Sequence, residues 1–91
     1  MKHLIYIADD EKNIRELIKN FLESDGYSVE AFETGDKLLE AFRKKSADLV
    51  ILDIMMPGTD GLAVCRILRE ETDIPIIILS ARDSDLDYVQ G

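Results

Sequence analysis

The stretch Leu49-Val50-Ile51-Leu52-Asp53 is an apolar run that ends in a carboxylate. The stretch Leu4-Ile5-Tyr6-Ile7-Ala8, near the start of the chain, has the same form and is followed by the pair Asp9-Asp10. Short apolar runs of this kind predict strands that are covered on both faces, as strands of a parallel sheet are. Because parallel strands end at the same edge of their sheet, we expect the three carboxylates to lie side by side.

Three neighbouring carboxylates predict a metal site. Like charges a few ångströms apart raise one another's pKa values or recruit a cation. A ligand set made only of carboxylate oxygens suits a hard ion such as magnesium. The sequence therefore predicts a magnesium site formed by Asp9, Asp10 and Asp53.

Strand-like and helix-like patterns alternate along the whole chain. Two further strands are predicted at residues 27–32 and 74–79, and a last helix is predicted to begin around Asp85. Three amphipathic helices are predicted between the strands, with these apolar residues facing inward: Ile14, Leu17, Ile18, Phe21 and Leu22 in the first, Leu38, Leu39 and Phe42 in the second, and Leu62, Cys65 and Leu68 in the third. Such alternation implies right-handed crossovers and a parallel α/β sheet.

Residues that favour helix ends mark the boundaries of these helices. Asp9 or Asp10 can cap the start of the first helix, Gly26 suits a left-handed stop, and Thr34 can cap the second helix. If the strand order is 2-1-3-4, the order reverses between the first and third strands. Ligand sites of open parallel sheets lie at such a point.

Composition excludes several classes of function. The chain has 91 residues, enough for one domain, and a net charge of −8 with no basic stripe, which argues against direct binding to nucleic acid. One cysteine allows no internal disulfide. The apolar runs are far shorter than the ~20 residues of a membrane span. Since Met1-Lys2-His3 runs directly into a strand instead of a signal peptide, we expect a cytoplasmic protein.

At these residues the chain resembles the receiver domain of bacterial two-component response regulators. The resemblance covers essentially the whole sequence and rests on the joint spacing of the following motifs: Asp9-Asp10 after the first strand, Asp53 closing the third, Met56-Pro57-Gly58 and Gly61 in the next loop, and Ser80-Ala81 closing the fourth. It implies a flavodoxin-like, doubly wound α/β fold with strand order 2-1-3-4. It also implies that residues 1–91 form a receiver domain that lacks the family's fifth strand, with its lysine, and fifth helix.

The resemblance implies a role for each site residue. Asp53 would be the phosphoacceptor. Asp10 would ligate Mg²⁺ directly, Asp9 largely through water, and Met55 through its backbone carbonyl. Ser80 would donate its hydroxyl to a phosphoryl oxygen and transmit the change to the following loop.

The implied function is that of a signalling switch. A sensor histidine kinase would transfer a phosphoryl group from its phosphohistidine, and the domain would catalyse only its own phosphorylation and dephosphorylation, so it is not classed as an enzyme. The first helix is the family's usual kinase-docking face, which makes Ile14 and Arg15 candidate contacts. Residues 74–91 most resemble receivers of OmpR-type winged-helix regulators, so a DNA-binding output domain would belong to a longer parent protein.

The missing fifth strand and helix have a further implication. The fourth strand would form an apolar edge at Ile76, Ile77, Ile78 and Leu79, and part of the core would be exposed. We therefore expect self-association, either through fourth-strand edges or by exchange of elements between two copies.

Two other classes of protein are weighed against this interpretation. A magnesium-dependent phosphatase with an aspartyl-phosphate intermediate typically places a second aspartate two residues after its nucleophile, where this chain has Met55. A flavin carrier of similar fold needs a loop rich in Ser, Thr and Gly after the first strand. The chain has Asp9-Asp10-Glu11 there, which would repel a phosphate.

Overall fold

Four strands and three helices make up the part of the chain that the computed structural model describes, residues 3–54 and 61–79. In chain order they are β1 (Leu4–Ala8), α1 (Lys12–Ser24), β2 (Ser28–Phe32), α2 (Gly35–Lys44), β3 (Leu49–Asp53), α3 (Gly61–Glu71) and β4 (Ile76–Leu79). All pairings are parallel and the strand order is β2-β1-β3-β4. The predicted alternation and strand order are confirmed. The helix predicted around Asp85 lies outside the described residues.

The register of the sheet brings the ends of β1 and β3 together. Ala8 is the partner of Leu52 on one side and of Phe32 on the other. Asp53 is the partner of Leu79 on β4. Asp9 and Asp53, which follow Ala8 and Leu52 in the chain, therefore lie next to each other.

One face of the sheet is covered by α2 and α3, and we call it the α2–α3 face. Its buried residues are Tyr6, Ala8, Leu38, Leu39, Phe42, Ala47, Val50, Leu52, Val64 and Leu68. The Tyr6 ring meets the rings of Phe32 and Phe42 edge to face, with centroids 5.2 and 6.2 Å away. The Tyr6 hydroxyl donates a hydrogen bond to the Lys45 carbonyl at 2.7 Å, so its polar end is satisfied inside the core.

The opposite face carries α1 and is much more open, and we call it the α1 face. Its buried residues are Ile5, Ile7, Val29 and Ile51, and none of them belongs to α1. Leu17 and Phe21 on α1 are 65% and 70% exposed, and Ile77 on β4 is 47% exposed. Together with Ile18, Leu22, Ile51 and Leu79 they line an apolar groove, the α1 groove. The prediction that Leu17 and Phe21 face inward is wrong, because no second helix among the described residues packs beside α1 on this face.

The helix ends follow the sequence in two cases out of three. Helix α1 ends in a Schellman motif, in which Gly26 (φ +97°) donates to Glu23 and Tyr27 donates to Leu22. The Thr34 hydroxyl accepts from the Lys37 N–H at 3.2 Å and caps α2 as predicted. The prediction that Asp9 or Asp10 caps α1 is wrong. The helix begins at Lys12, so the N-cap position belongs to Glu11 and not to either aspartate. Glu11 makes no side-chain capping bond.

The inward face of α3 differs from the prediction. Leu68 is buried and Cys65 is half-buried, but Leu62 is 50% exposed. The buried positions are Gly61, Val64 and Leu68. The tight packing of Gly61 on the end of β3 fixes this rotation of the helix, and Leu62 then points outward.

No helix within the described ranges combines the length and apolar character of a membrane span.

Candidate metal centre

Three carboxylates meet where β1 and β3 end. One oxygen each from Asp9, Asp10 and Asp53 lie within 4.8 Å of one another. Asp9 and Asp53 are buried, with 4% and 5% of their surface exposed, whereas Asp10 is exposed. The predicted proximity of these three residues is confirmed.

Backbone hydrogen bonds hold the two buried aspartates in the sheet. The Asp9 N–H donates to the Phe32 carbonyl at 3.1 Å and so extends the β1–β2 pairing by one residue. The N–H of Ile54, directly after Asp53, donates to the Leu79 carbonyl at 3.2 Å. Each carboxylate therefore projects from backbone that is still paired, and its position is set by a central strand of the sheet.

Asp9 carries further contacts from the first turn of α1. Its Oδ1 accepts from the Glu11 N–H at 2.8 Å, and its carbonyl accepts from Arg15 Nη1 at 2.9 Å. Burial raises the pKa of Asp9, and the nearby charge of Asp10 raises it further. The hydrogen bond from the Glu11 N–H and the charge of the Arg15 guanidinium lower this pKa, but the pKa remains above its ordinary value.

Helix α3 begins in direct contact with the backbone of β3. A Cβ added at Gly61 would overlap the carbonyl oxygen of Asp53, so only glycine allows this approach. The Gly61 N–H also donates to the Ile54 carbonyl at 3.4 Å. Gly61 thus fixes the backbone on which the Asp53 carboxylate stands.

The donor set fits a hard divalent cation. All ligand atoms of the cluster are carboxylate oxygens, which suit Mg²⁺ better than softer metals. Two of the carboxylates are buried, and a cation between them would offset both their repulsion and their lost hydration. Met55 and Ser80, which were also predicted at this site, lie outside the described residues.

The sequence did not indicate the contact made by Arg15. It suggested Arg15 and Ile14 as kinase contacts, and both are half-buried in the structure. The Arg15 guanidinium lies against the site because one turn of helix carries it back over the end of β1. The position of Arg15, six residues after Asp9, was the only feature of the sequence that could have indicated this contact.

Comparison with known proteins places the chain in a family. Its sequence matches the response regulator receiver domain over residues 5–91. The probable transcriptional regulator ycf27 of Cyanidium caldarium is 47% identical over 90 residues, and the transcriptional regulatory protein ResD of Bacillus subtilis is 42% identical over 87 residues. These matches cover 99% and 96% of this chain but 36% of each relative. The chain therefore spans little more than a third of their length.

Solved structures agree with the sequence match. The response regulator TrrA of Thermotoga maritima, solved in complex with Mg(2+)-BeF, gives a TM-score of 0.86 at 43% identity. The alignment covers 97% of this chain and 77% of TrrA. TrrA in complex with the histidine kinase ThkA gives a TM-score of 0.82 at 42% identity, with 94% and 79% covered. A match over nearly the whole sequence, supported by this structural agreement, shows that the chain belongs to the family of response regulator receiver domains.

Proposed function

We propose that Asp53 accepts a phosphoryl group from the phosphohistidine of a sensor histidine kinase, at a centre where Asp9, Asp10 and Asp53 hold Mg²⁺. The observation that carries this proposal is the convergence of the three carboxylates within 4.8 Å at the carboxyl edge of the sheet. The Mg(2+)-BeF complex of TrrA supports the choice of metal, and the TrrA complex with ThkA supports the choice of partner.

The chemistry follows from a carboxylate that is fixed in place. A carboxylate oxygen of Asp53 attacks phosphorus, the P–N bond of the phosphohistidine breaks, and its electron pair stays on the imidazole nitrogen. The product is a mixed anhydride, which water attacks at phosphorus to return the carboxylate and release phosphate. When bound, Mg²⁺ neutralises charge on the transferring phosphoryl group. The buried, backbone-paired position of Asp53 restricts the directions from which that group can approach.

The output of the switch is a separate part of the proposal. Receiver domains of transcriptional regulators are signalling domains. In a protein as long as these relatives, we expect the receiver to control a DNA-binding domain in the cytoplasm while catalysing only its own phosphorylation and dephosphorylation. Ser80 as the phosphoryl contact and the Met55 carbonyl as a metal ligand remain predictions. The magnesium-dependent phosphatase is not favoured, because the chain belongs to the receiver family and has Met55 at the second aspartate's position.

A phosphodonor experiment tests the proposal. The chain is incubated with a small phosphodonor and Mg²⁺, and intact and peptide masses are measured under mildly acidic conditions. We expect one labile phosphoryl group, located on Asp53 and absent from D53N. Asp73 is exposed and precedes β4, at the opposite edge of the sheet, so D73N is the matched control and should be labelled normally. Normal labelling of D53N would refute the assignment.

Self-association through β4 is a further part of the proposal. Within the described residues β4 is an edge strand, and it consists of three isoleucines and a leucine with no charge to oppose pairing. Antiparallel pairing of two such edges would leave the two copies of β1 five strand spacings apart, roughly 24 Å at about 4.8 Å each. Since packed helices are about 8–10 Å apart, the two α1 helices would not touch.

This geometry gives a discriminating test of self-association. We expect I77K, which puts a charge on the edge strand, to weaken association in sedimentation experiments across a concentration series. F21S should associate like the unmodified chain, because edge pairing leaves Phe21 outside the interface. A monomer at high concentration would refute the proposal. Because Ile77 also lines the α1 groove, F21S decides between the two surfaces, and weaker association of F21S would assign association to the α1 groove instead.

A further inference from the structure

The strongest feature not used by the proposed chemistry is the contact of Arg15 with the end of β1. We propose that Arg15 is a positioning residue for the metal centre, holding the Asp9-Asp10 turn in the geometry that binds a small divalent cation. This inference rests on the proposed magnesium site. Arg15 bonds the Asp9 backbone and so acts on the cation through the residues it orients.

The hydrogen bonds around the turn form a closed loop. Arg15 Nη1 donates to the Asp9 carbonyl at 2.9 Å, and the Arg15 N–H donates to the Glu11 carbonyl at 3.0 Å. The Glu11 N–H in turn donates to Asp9 Oδ1 at 2.8 Å. The Asp9 N–H is bonded to Phe32 on the other side. Both backbone groups and one carboxylate oxygen of Asp9 are therefore fixed, and Asp10 lies between two anchored residues.

Few other features tie the start of α1 to the site. The N-cap residue Glu11 makes no side-chain capping bond, and no residue of α1 is fully buried, since Ile18 and Leu22 pack only partly against the sheet farther along the helix. The half-buried Arg15 side chain is thus a link from α1 to the strand that carries two of the three carboxylates. A planar guanidinium with several N–H groups suits such a fixed contact better than a flexible ammonium does.

The charge of Arg15 and its positioning contact can be distinguished experimentally, because losing each of them should change the Mg²⁺ affinity in opposite directions. A guanidinium beside the cluster repels a cation, so loss of the charge alone should strengthen Mg²⁺ binding. Loss of the positioning contact should weaken it, and by more for Mg²⁺ than for Ca²⁺. Magnesium demands a near-octahedral set of ligands at short distances, whereas calcium accepts longer and more variable ones.

The test measures the affinities of the full chain for Mg²⁺ and for Ca²⁺ by calorimetry, together with urea unfolding in metal-free buffer. The variants are R15M, which removes the donor and the charge, R15K, which retains the charge and one donor group, and K12Q. Lys12 lies in the same first turn of α1, is 74% exposed on its side chain and pairs with Glu16, so K12Q is the matched charge control.

We expect R15M to weaken Mg²⁺ binding about 10-fold or more, the usual effect of losing a residue that orients a metal ligand. Ca²⁺ binding should fall much less, so that the ratio of the two affinities changes. R15K should restore part of the Mg²⁺ affinity, and K12Q should bind Mg²⁺ as tightly as the unmodified chain or slightly more tightly. If R15M does not fold, the change in this ratio for R15K decides, and an unchanged ratio overturns the proposal.

Three results would overturn the inference. Unchanged or tighter Mg²⁺ binding by R15M would show that Arg15 contributes charge only. Equal losses of Mg²⁺ and Ca²⁺ affinity, in step with lower stability to urea, would show a purely structural role. If the unmodified chain binds no Mg²⁺, the proposed metal centre fails and this inference fails with it, whereas normal binding that is insensitive to R15M refutes the inference alone.

Discussion

The two faces of the sheet are built from similar helices but differ in how well they are closed. Helices α1 and α2 are both strongly amphipathic, yet α2 buries Gly35, Leu38, Leu39 and Phe42, while α1 buries no residue. Helix α2 packs beside α3, whereas α1 has no neighbouring helix among the described residues. The comparison shows that the apolar stripe of a helix on this sheet is fully buried only where a second helix packs beside it. One helix covers about 10 Å of a wider sheet and leaves its own flank open.

The largest expected effect comes from making the same substitution, leucine to alanine, on each face of the sheet. Leu38 is fully buried on the α2–α3 face, so L38A should lower the free energy of unfolding by about 2–5 kcal/mol. Leu17 on the α1 face is 65% exposed, so L17A should change it by less than about 0.5 kcal/mol. Urea unfolding of both variants measures the difference. Equal losses would mean that the α1 face is covered in solution.

A second test concerns the contact between α3 and β3. In G61A the new methyl group meets the Asp53 carbonyl, and displacement of the helix or strand should cost about 1–3 kcal/mol. Mg²⁺ binding should weaken as well, because the backbone of Asp53 moves. The control is G26A, in which a left-handed residue is strained by about 1–2 kcal/mol with no atom near the new methyl group. If calorimetry shows that both variants retain Mg²⁺ affinity, Gly61 does not position Asp53.

The pH dependence of stability tests the buried carboxylate at the end of β1. The pKa of folded Asp9 is raised by burial above its ordinary value of about 4. The folded chain therefore binds this proton more tightly than the unfolded chain, and the contribution of Asp9 to stability falls as pH rises from about 4 through the folded pKa. In metal-free buffer D9N should be more stable than the unmodified chain at pH 7, and this advantage should vanish near pH 4.

Urea midpoints measured against pH in a chelator, with D73N as the control for an exposed carboxylate, check this expectation. An advantage of D9N that is constant with pH would show that the folded state does not perturb the Asp9 proton. An advantage that grows toward low pH would show that the sign is wrong.

The smallest expected effect is on the open face. Phe21 is the most exposed of the large apolar side chains there, at 70%, so F21S should change the free energy of unfolding by less than about 0.5 kcal/mol. The matched substitution F42S, on the α2–α3 face, removes a buried ring and should be strongly destabilising. A comparable loss in F21S, measured by urea unfolding, would contradict the openness of the α1 groove.

The sequence was sufficient to predict features that depend on short patterns. Apolar runs ending in Asp9-Asp10 and Asp53 located the strands, and parallel pairing of β1 with β3 places their carboxyl ends at one edge of the sheet. The orientation of α3 could not be predicted in the same way. The apolar pattern allowed Leu62 to face inward, and only the contact of Gly61 with the β3 backbone excludes it.

The part played by Arg15 was hidden for a related reason. Arg15 donates to a backbone carbonyl, and every residue has one. No particular residue type at a fixed spacing therefore predicts this hydrogen bond. The same holds for Asp9. A carboxylate before a helix is a common cap, but here its oxygen binds the Glu11 N–H ahead of the first helical residue. Contacts between side chains and backbone depend on geometry that the pattern of residue types does not encode.

The parallel register also makes this sheet depend on contacts between residues that are distant in the sequence. Among the strands in residues 3–54 and 61–79, none pairs with its neighbour through a tight turn, and the Leu4 N–H donates to the Asp48 carboxylate across 44 residues. Such distant contacts form slowly, because most of the chain must be gathered before they are made. During synthesis β1 is made before β3, so its β3 side stays unpaired until β3 has been synthesised. β1, which leads into Asp9 and Asp10, therefore stays open on its β3 side until Asp53 itself is being made, and the acidic cluster cannot assemble earlier.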